Sequence, residues 1–191
     1  VCGPDGGVER PSIAGDPVHA VIDLVSPGGR LALLDLSTCE AVPYSIPVKR
    51  YPAYGSLSPS AELLAYQGIA QEAQPSAAER LPAIYILDLA TGHESQVGHG
   101  FDPSWSPGGG RLAFMGGDGI YVMKPDGTKQ TRIVGYAKPE EGRSYEDWPP
   151  LPSWSPDGKQ ILAELFTKKG KSRQAVLVSV ADGSVRPLKI P

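Results

Sequence analysis

Short runs of apolar residues alternate with turn residues along most of the chain, and this alternation recurs with a fixed period. Three segments carry a proline near their start and end in Ser-Pro; they span 52–59, 102–107 and 151–156. Aligned on the serine of that Ser-Pro, the copies are 106 − 58 = 48 and 155 − 106 = 49 residues apart. This period fits the blades of β-propellers and exceeds the periods of helical repeats such as TPR and ankyrin.

Further runs of strand-forming residues follow each copy. The first runs cover 62–66, 111–115 and 160–164, and the second runs cover 83–89, 119–123 and 175–180. Each second run ends in a turn with glycine, at Gly92, Gly127 and Gly183, and Asp-Gly between apolar runs is a strong hairpin signal. A last run, at 94–97, 129–134 or 185–190, completes the unit as an outer strand. Each repeat therefore predicts one four-stranded antiparallel blade.

The N-terminal part of the chain is a degenerate fourth unit. Apolar runs at 20–25 and 30–36 flank a turn, 41–47 supplies an outer strand, and 8–13 is a weak candidate for the inner strand. Atypical end units are common in repeat arrays. We therefore predict an all-β, single-domain β-propeller over 1–191, complete or partial, with about four four-stranded antiparallel blades at approximately 8–50, 51–100, 101–149 and 150–191. An insertion rich in Ala, Glu and Gln at 67–81 predicts at most one short helix, near 70–80.

The segments 152–161 (PSWSPDGKQI) and 120–123 (IYVM) resemble the WD-type, or PD-type, repeat of TolB-like propellers and of the propellers of prolyl-oligopeptidase-like enzymes. The resemblance covers 52–191, with a weaker echo over 18–50. It implies a propeller that is usually extracytoplasmic in bacteria and usually binds proteins or peptides. This chain departs from the pattern in two ways. TolB-like propellers have six or more blades, and the copy at 52–59 has Leu57 and Ala61 where the tryptophan and aspartate of the pattern stand.

The repeat residues predict structure more than chemistry. We expect Trp105 and Trp154 to be buried at equivalent positions between adjacent blades, and the turn aspartates Asp118, Asp126, Asp157 and Asp182 to bond their own backbone. We expect His93 and His99 to lie on the surface, on either side of an outer strand. The chain has no GxSxG, HExxH, P-loop or phosphate-cradling GxGxxG motif. These patterns predict no catalytic residue, no metal site and no cofactor.

Composition narrows the environment and the partners. The net charge of −3 predicts no binding to nucleic acid, and no apolar run approaches the roughly 20 residues of a transmembrane segment. The absence of asparagine, the two methionines and the 20 prolines favour a thermophilic source, although a high-GC genome gives the same bias. Cys2 and Cys39 form a disulfide or remain free thiols, and a third alternative makes Cys2 the lipid-bearing cysteine of a lipoprotein.

The segment 136–150 is the candidate binding region because it is a long interblade connection rich in the residues that anchor protein interfaces. The candidate partner-binding residues are Tyr136, Arg143, Tyr145 and Trp148. The alternative is a solvated acidic loop with Trp148 packed against the next blade.

We predict a non-catalytic protein-interaction or scaffold module: an extracytoplasmic bacterial protein (periplasmic, secreted or peripheral on the outer face of a membrane), or an accessory subunit of a larger, membrane-bound complex. The alternative is the propeller domain of a peptidase-like or lyase-like enzyme. That alternative needs a polar cluster in the central funnel, for instance His19, His99, Asp102 and Arg143.

Overall fold

The computed structural model describes residues 8–13, 19–24, 30–35, 37–38, 40–43, 50–70, 82–135, 152–166 and 173–188. Within these ranges the chain forms four sheets of four strands each and no helix. In every sheet the strands are antiparallel and lie in chain order, so each sheet is a meander. The predicted all-β fold class, with four-stranded antiparallel propeller blades, is confirmed.

We call the sheets blades 1 to 4. Blade 1 contains β1 (Val8–Ile13), β2 (His19–Leu24), β3 (Arg30–Asp35) and β4 (Glu40–Pro43). Blade 2 contains β5 (Arg50–Leu57), β6 (Leu63–Ala70), β7 (Ala83–Asp88) and β8 (Glu94–His99). Blade 3 contains β9 (Phe101–Trp105), β10 (Leu112–Met115), β11 (Gly119–Met123) and β12 (Thr131–Gly135). Blade 4 contains β13 (Ser153–Trp154), β14 (Gln160–Phe166), β15 (Arg173–Ser179) and β16 (Val185–Pro187).

Two expectations about element boundaries have different outcomes. The weak candidate for the first inner strand, 8–13, is confirmed as β1. The insertion expected to begin at Gln67 was placed too early, because β6 continues as strand to Ala70 and pairs with both neighbouring strands. The rest of that insertion, 71–81, lies outside the described residues.

The hydrophobic core consists of layers between successive blades. Side chains alternate across a strand, so each blade has a front face toward the preceding blade and a rear face toward the following one. Between blades 2 and 3, the rear residues Ala65, Ile84 and Ile86 pack against front residues that include Trp105 and Phe114. Between blades 3 and 4 the rear residues are Ala113, Ile120 and Val122, and the front residues are Ile161, Ala163, Val176 and Val178. The period of 48–49 residues is therefore the period of one packed layer.

The repeat tryptophans connect adjacent blades. Trp105 is 7% exposed, and its indole Nε1 donates a hydrogen bond to the backbone oxygen of Ser56, at 3.0 Å. Trp154 donates the equivalent bond to the backbone oxygen of Ser104, also at 3.0 Å. The expectation of burial is confirmed for Trp105. It is wrong in degree for Trp154, which is half-buried, with the Arg111 guanidinium 5.0 Å from its ring centroid.

The A–B turns correct one alignment made from the sequence. The amide nitrogens of Ala61, Gly109 and Gly158 each donate to the backbone oxygen of the Ser-Pro serine three residues before. All three residues have positive φ, at 57°, 69° and 66°. Ala61 therefore occupies the glycine position of the turn, and Ser60, not Ala61, stands where the aspartate Asp157 stands in blade 4.

Replacing Ala61 with glycine is expected to stabilise the protein by about 0.5–1 kcal/mol. A left-handed conformation costs an alanine about 1–2 kcal/mol, and the greater freedom of glycine in the unfolded chain offsets part of the gain. The reciprocal control is Gly109→Ala, at the same turn position with φ 69°, which is expected to lose a similar amount. Equilibrium urea unfolding measures both changes, and a loss of stability in Ala61→Gly would contradict the turn assignment.

The four blades form an open series in the described part of the chain. The first strand of each of blades 2 to 4 packs against the blade before it: β5 contacts β1, β2 and β3, β9 contacts β5, β6 and β7, and β13 contacts β9. Among these described strands, none of blade 1 makes an extensive contact with any of blade 4. Blade 4 therefore presents a rear face that none of the other three blades covers.

Candidate functional site

The meander divides the connections between strands over two ends of the blades. One end, the turn end, carries the hairpins between first and second strands and between third and fourth strands. The opposite end, the long-loop end, carries the hairpins between second and third strands and all the connections from one blade to the next. The two longest connections, 71–82 and 136–152, are both at the long-loop end. Variable connections of this kind are where binding residues concentrate on a rigid scaffold.

The turn end is held by aspartates that bond to their own turns. Asp126 accepts from the amide of Thr128 at 2.9 Å, Asp157 from the amide of Lys159 at 3.0 Å, and Asp182 from the amide of Ser184 at 3.0 Å. These bonds confirm the expected role of the three residues. Hydrogen bonds to the ionised carboxylate lower the pKa of each one, with the largest contributions from the side chains of Thr128, Ser155 and Ser179 respectively.

The stability of the turn end is expected to depend on pH in the acid range. The pKa of Asp182 is lowered from 3.8 to about 2. Its contribution is therefore complete above pH 3.8 and is lost as the pH falls toward 2. Asp182→Asn keeps the acceptor oxygen and removes the titration. The melting temperature of the wild type should exceed that of the variant at pH 5, and the difference should shrink between about pH 4 and 2. A difference that is constant over this range would contradict the assignment.

Glycines of the turn end also touch the preceding blade. A Cβ added to Gly127 would lie 2.4 Å from the backbone oxygen of Val97, and one added to Gly183 would lie 2.1 Å from that of Ile133. Both neighbours lie on the outer strand of the blade before, or beside a bulge in it. The glycine of the Asp-Gly turn is thus needed for the approach between blades as well as for its positive φ.

A groove of about 560 Å³ opens at the turn end where blades 3 and 4 meet. Arg111 spans it, with the Nη2 of its guanidinium 3.2 Å from the backbone oxygen of Gly158. The lining residues are Arg111, Asp157, Gly158, Lys159, Gln160, Ser179, Val180 and Ala181. The groove carries charges of both signs, and Asp157 is already bonded within its own turn.

Near the long-loop end, the first strands of blades 2 and 3 share an irregularity. The pairing of β5 with β6 and of β9 with β10 is interrupted by a shift in register, and Tyr54 and Asp102 have positive φ there, at 53° and 52°. Asp102 is buried, and its amide donates to the Oε1 of the buried Gln67 of blade 2, at 3.0 Å. Such bulges are frequent beside binding and active sites because they redirect a side chain.

A second polar group of the long-loop end lies in blade 3. Asp118 accepts a hydrogen bond from the hydroxyl of Tyr121 at 2.8 Å and forms an ion pair with Arg132. The hydrogen bond to the carboxylate, followed by burial, raises the pKa of Tyr121. Asp118 therefore bonds to the side chains of Tyr121 and Arg132, a role that the expectation of a bond to its own backbone did not include.

The candidate residues from the sequence have several outcomes. Tyr136, Arg143, Tyr145 and Trp148 lie outside the described residues, as do Cys2 and Cys39, so these remain predictions. His93 and His99 are exposed, as expected; His93 directly precedes β8, whereas His99 is the last residue of that strand. The cluster of His19 with His99 and Asp102 is wrong. His19 pairs with Asp35 at the turn end of blade 1, whereas His99 ends an outer strand at the long-loop end.

Two searches of the described ranges concern metals and membranes. No group of three or more His, Cys, Asp or Glu side chains there is placed to hold a metal ion. No helix of membrane-spanning length and hydropathy is present in those ranges either.

Comparison with solved structures identifies the architecture. TolB from Acinetobacter baumannii superposes with a TM-score of 0.73 at 19% identity, over 96% of this chain and 44% of that one. The chain has a TolB-like β-propeller fold. An oligogalacturonate lyase in complex with manganese matches the TolB-like chain with a TM-score of 0.66 at 19% identity, over 98% and 54% of the two chains. An acylaminoacyl peptidase matches with a TM-score of 0.54 at 13% identity, over 97% and 32%.

These similarities concern the fold alone, because every identity is below one in five. The TolB-like chain spans about half the length of the first solved structures it matches, 44% and 54%. No protein-family model and no curated protein matches the sequence.

Proposed function

We propose that this TolB-like propeller is a non-catalytic protein-interaction or scaffold module that contacts its partner through the long-loop end. The observation that carries the proposal is that both of the longest connections, 71–82 and 136–152, belong to that end. The opposite end is closed by short turns whose aspartates are engaged in local hydrogen bonds. The blades thus form a rigid base that holds one variable surface.

The residue types of the 136–150 segment support protein binding. Tyrosine, tryptophan and arginine are enriched among the residues that dominate binding energies, and Arg143, Tyr145 and Trp148 occur within six residues. Together with the resemblance to TolB-like repeats, these features favour an extracytoplasmic bacterial protein. On this proposal the chain is an accessory subunit of a larger complex, such as one at the outer face of a membrane.

The test begins with co-purification and mass spectrometry, followed by measurement of affinity for the partner that is found. Trp148→Ala and Tyr145→Ala should each weaken binding by about 2 kcal/mol, close to thirtyfold, with little change in melting temperature. Lys159→Ala is the matched control, because Lys159 is an exposed residue of the turn-end groove. Its affinity should stay within twofold of the wild type.

The opposite pattern would overturn the proposal. If Lys159→Ala weakens binding and both 136–150 variants bind normally, the interface is the turn-end groove. If Trp148→Ala and Tyr145→Ala lower the melting temperature and leave binding intact, the segment is packing, and the partner binds elsewhere.

A second candidate is the propeller domain of a lyase-like or peptidase-like enzyme. Two observations favour it: the solved structures that match include an oligogalacturonate lyase and an acylaminoacyl peptidase, and Tyr54 and Asp102 hold strained backbone on the first strands of two blades. The purified chain would be assayed on oligogalacturonate and on peptide substrates. Turnover that is lost in Asp102→Asn without a loss of melting temperature would support the enzyme and exclude the non-catalytic module.

A further inference from the structure

Two cations at the contact between blades 3 and 4 lack a carboxylate partner among the described residues. Arg111, which directly precedes β10, and Lys159, which directly precedes β14, both line the turn-end groove. Neither forms an ion pair with a carboxylate in the described ranges. Asp157 of the same groove instead accepts from the hydroxyl of Ser155 at 2.6 Å and from the amide of Lys159 at 3.0 Å. The groove therefore holds two positive charges beside a carboxylate that its own turn already uses.

The guanidinium of Arg111 is held in place by the neighbouring blade. Its Nη2 lies 3.2 Å from the backbone oxygen of Gly158, and its Cζ lies 5.0 Å from the ring centroid of Trp154, within cation–π range. Its Nη1 and Nε donate no hydrogen bond to any residue that the structure describes. A guanidinium presents its donors in a planar fork that matches the two oxygens of a carboxylate. The remaining donors of Arg111 thus form a positioned receptor for an anion.

A leucine takes the place of Arg111 at the preceding contact. The amides of Leu63 and Arg111 donate to the hydroxyl of the serine five residues before, at 3.0 and 3.1 Å, so the two positions are equivalent. Leu63 packs in the layer between blades 2 and 3, where Trp105 is buried. With arginine at this position, Trp154 remains half-buried. Because an aliphatic side chain removes more apolar surface from water, the packing of the layer does not explain the arginine.

This part of the groove belongs to two successive blades. Val180 packs in the layer between blades 3 and 4, and Lys159 alternates along the chain with Ile161, a residue of the same layer. A Cβ added to Gly158 would lie 3.7 Å from the Cδ of Pro107, so the turns of the two blades meet there. The site therefore does not depend on what precedes blade 1 or follows blade 4.

The lining selects the class of anion. Val180 and Ala181 are apolar, and about 560 Å³ is room for a short peptide segment. Asp157 lines the groove and Asp182 follows Ala181, and hydrogen bonds lower the pKa of both carboxyls, so both are ionised at neutral pH. These two negative charges repel a doubly charged phosphate more strongly than a singly charged carboxylate. The surroundings therefore favour a carboxylate with an apolar group beside it.

We propose that the turn-end groove binds a carboxylate of a peptide, which accepts from the free donors of Arg111 and from the ammonium of Lys159. An apolar side chain of the same peptide packs on Val180 and Ala181. The carboxylate comes from the end of the peptide or from an acidic side chain. This site is independent of the partner proposed for the long-loop end, because the two surfaces lie at opposite ends of the blades.

The first test titrates the chain with three probes and follows backbone amide signals by NMR. Acetyl-alanyl-leucine carries a terminal carboxylate, acetyl-glutamyl-leucinamide carries one on a side chain, and acetyl-alanyl-leucinamide carries none. The signals of Gly158, Lys159 and Ala181 should shift to saturation with a carboxylate probe and stay unchanged with the uncharged one. The carboxylate probe that binds more tightly identifies the source. Equal shifts with the uncharged probe, no shift with any probe, or tighter binding of inorganic phosphate would overturn the proposal.

The second test assigns the binding to Arg111. Arg111→Gln should weaken binding of the carboxylate probe by about tenfold or more, since charge-assisted hydrogen bonds are lost. Arg111→Lys keeps the charge without the fork and should bind between the two. Arg186→Gln is the matched control, because Arg186 is exposed on β16 of the same blade and does not line the groove. It should bind within about twofold of the wild type. Equal losses in Arg111→Gln and Arg186→Gln, or no loss in Arg111→Gln, would exclude the site.

Discussion

Trp105→Ala is expected to lower the free energy of unfolding by about 3–5 kcal/mol, the range for removing a large aromatic from a core. Trp105 is 7% exposed, lies among Ala65, Ile84 and Leu112 between blades 2 and 3, and donates through Nε1 to Ser56. Its removal leaves a cavity in that layer and a buried carbonyl without this donor. Chemical denaturation at constant m-value measures the loss.

Two variants separate the contributions at this interface. Trp105→Phe keeps most of the apolar volume and loses the bond to Ser56, so about 1–3 kcal/mol should be lost, the cost of an unsatisfied buried group. Trp154→Ala should cost less than Trp105→Ala, because Trp154 is only half-buried. A loss below about 0.5 kcal/mol for Trp105→Ala, typical of surface positions, would contradict the blade packing.

Gly183→Ala is expected to cost about 2–5 kcal/mol. The alanine would have to keep a φ of 70°, which costs about 1–2 kcal/mol, and its Cβ would meet the backbone oxygen of Ile133 at 2.1 Å. A backbone carbonyl has no flexible end that can move aside, so blades 3 and 4 must separate locally, at about 1–3 kcal/mol for an overpacked site. Thermal and chemical unfolding both measure the change.

The matched control for the glycine is Gly92→Ala. Gly92 has nearly the same φ, 71°, and no described atom lies within 4 Å of its added Cβ. The control therefore carries the conformational cost without the clash, about 1–2 kcal/mol. Equal losses in Gly92→Ala and Gly183→Ala would show that the approach of Gly183 to the preceding blade has no energetic weight.

The repeat carried most of the fold prediction because it encodes one local unit. Alternation, Asp-Gly turns and the Ser-Pro spacing all act within about 50 residues, and they placed even the degenerate strand 8–13. The assignment of Ala61 to the aspartate position was an avoidable error, because Ala61 and Gly158 both stand three residues after the Ser-Pro serine. The bond from Ala61 to Ser58 and the positive φ of Ala61 show the correct alignment.

Contacts between blades were harder to foresee because they join residues about one period apart. Nothing local to Gly183 signals its contact with Ile133, and nothing local to Trp154 signals the Arg111 guanidinium over its ring. The two ends of the blades follow from the meander alone, so the position of 136–152 on the long-loop end was within reach of the sequence. The separation of His19 from His99 follows from the same rule, applied to the direction of each strand.

Hydrogen exchange of the chain with and without its purified partner tests the proposed interface most directly. The proposal expects slower exchange in the complex at the connections of the long-loop end, 71–82 and 136–152, and in the adjoining end of β9. The turn-end segments 155–160 and 179–184 should exchange at the same rate in both states. Protection confined to those turn-end segments, with 136–152 unchanged, would contradict the account.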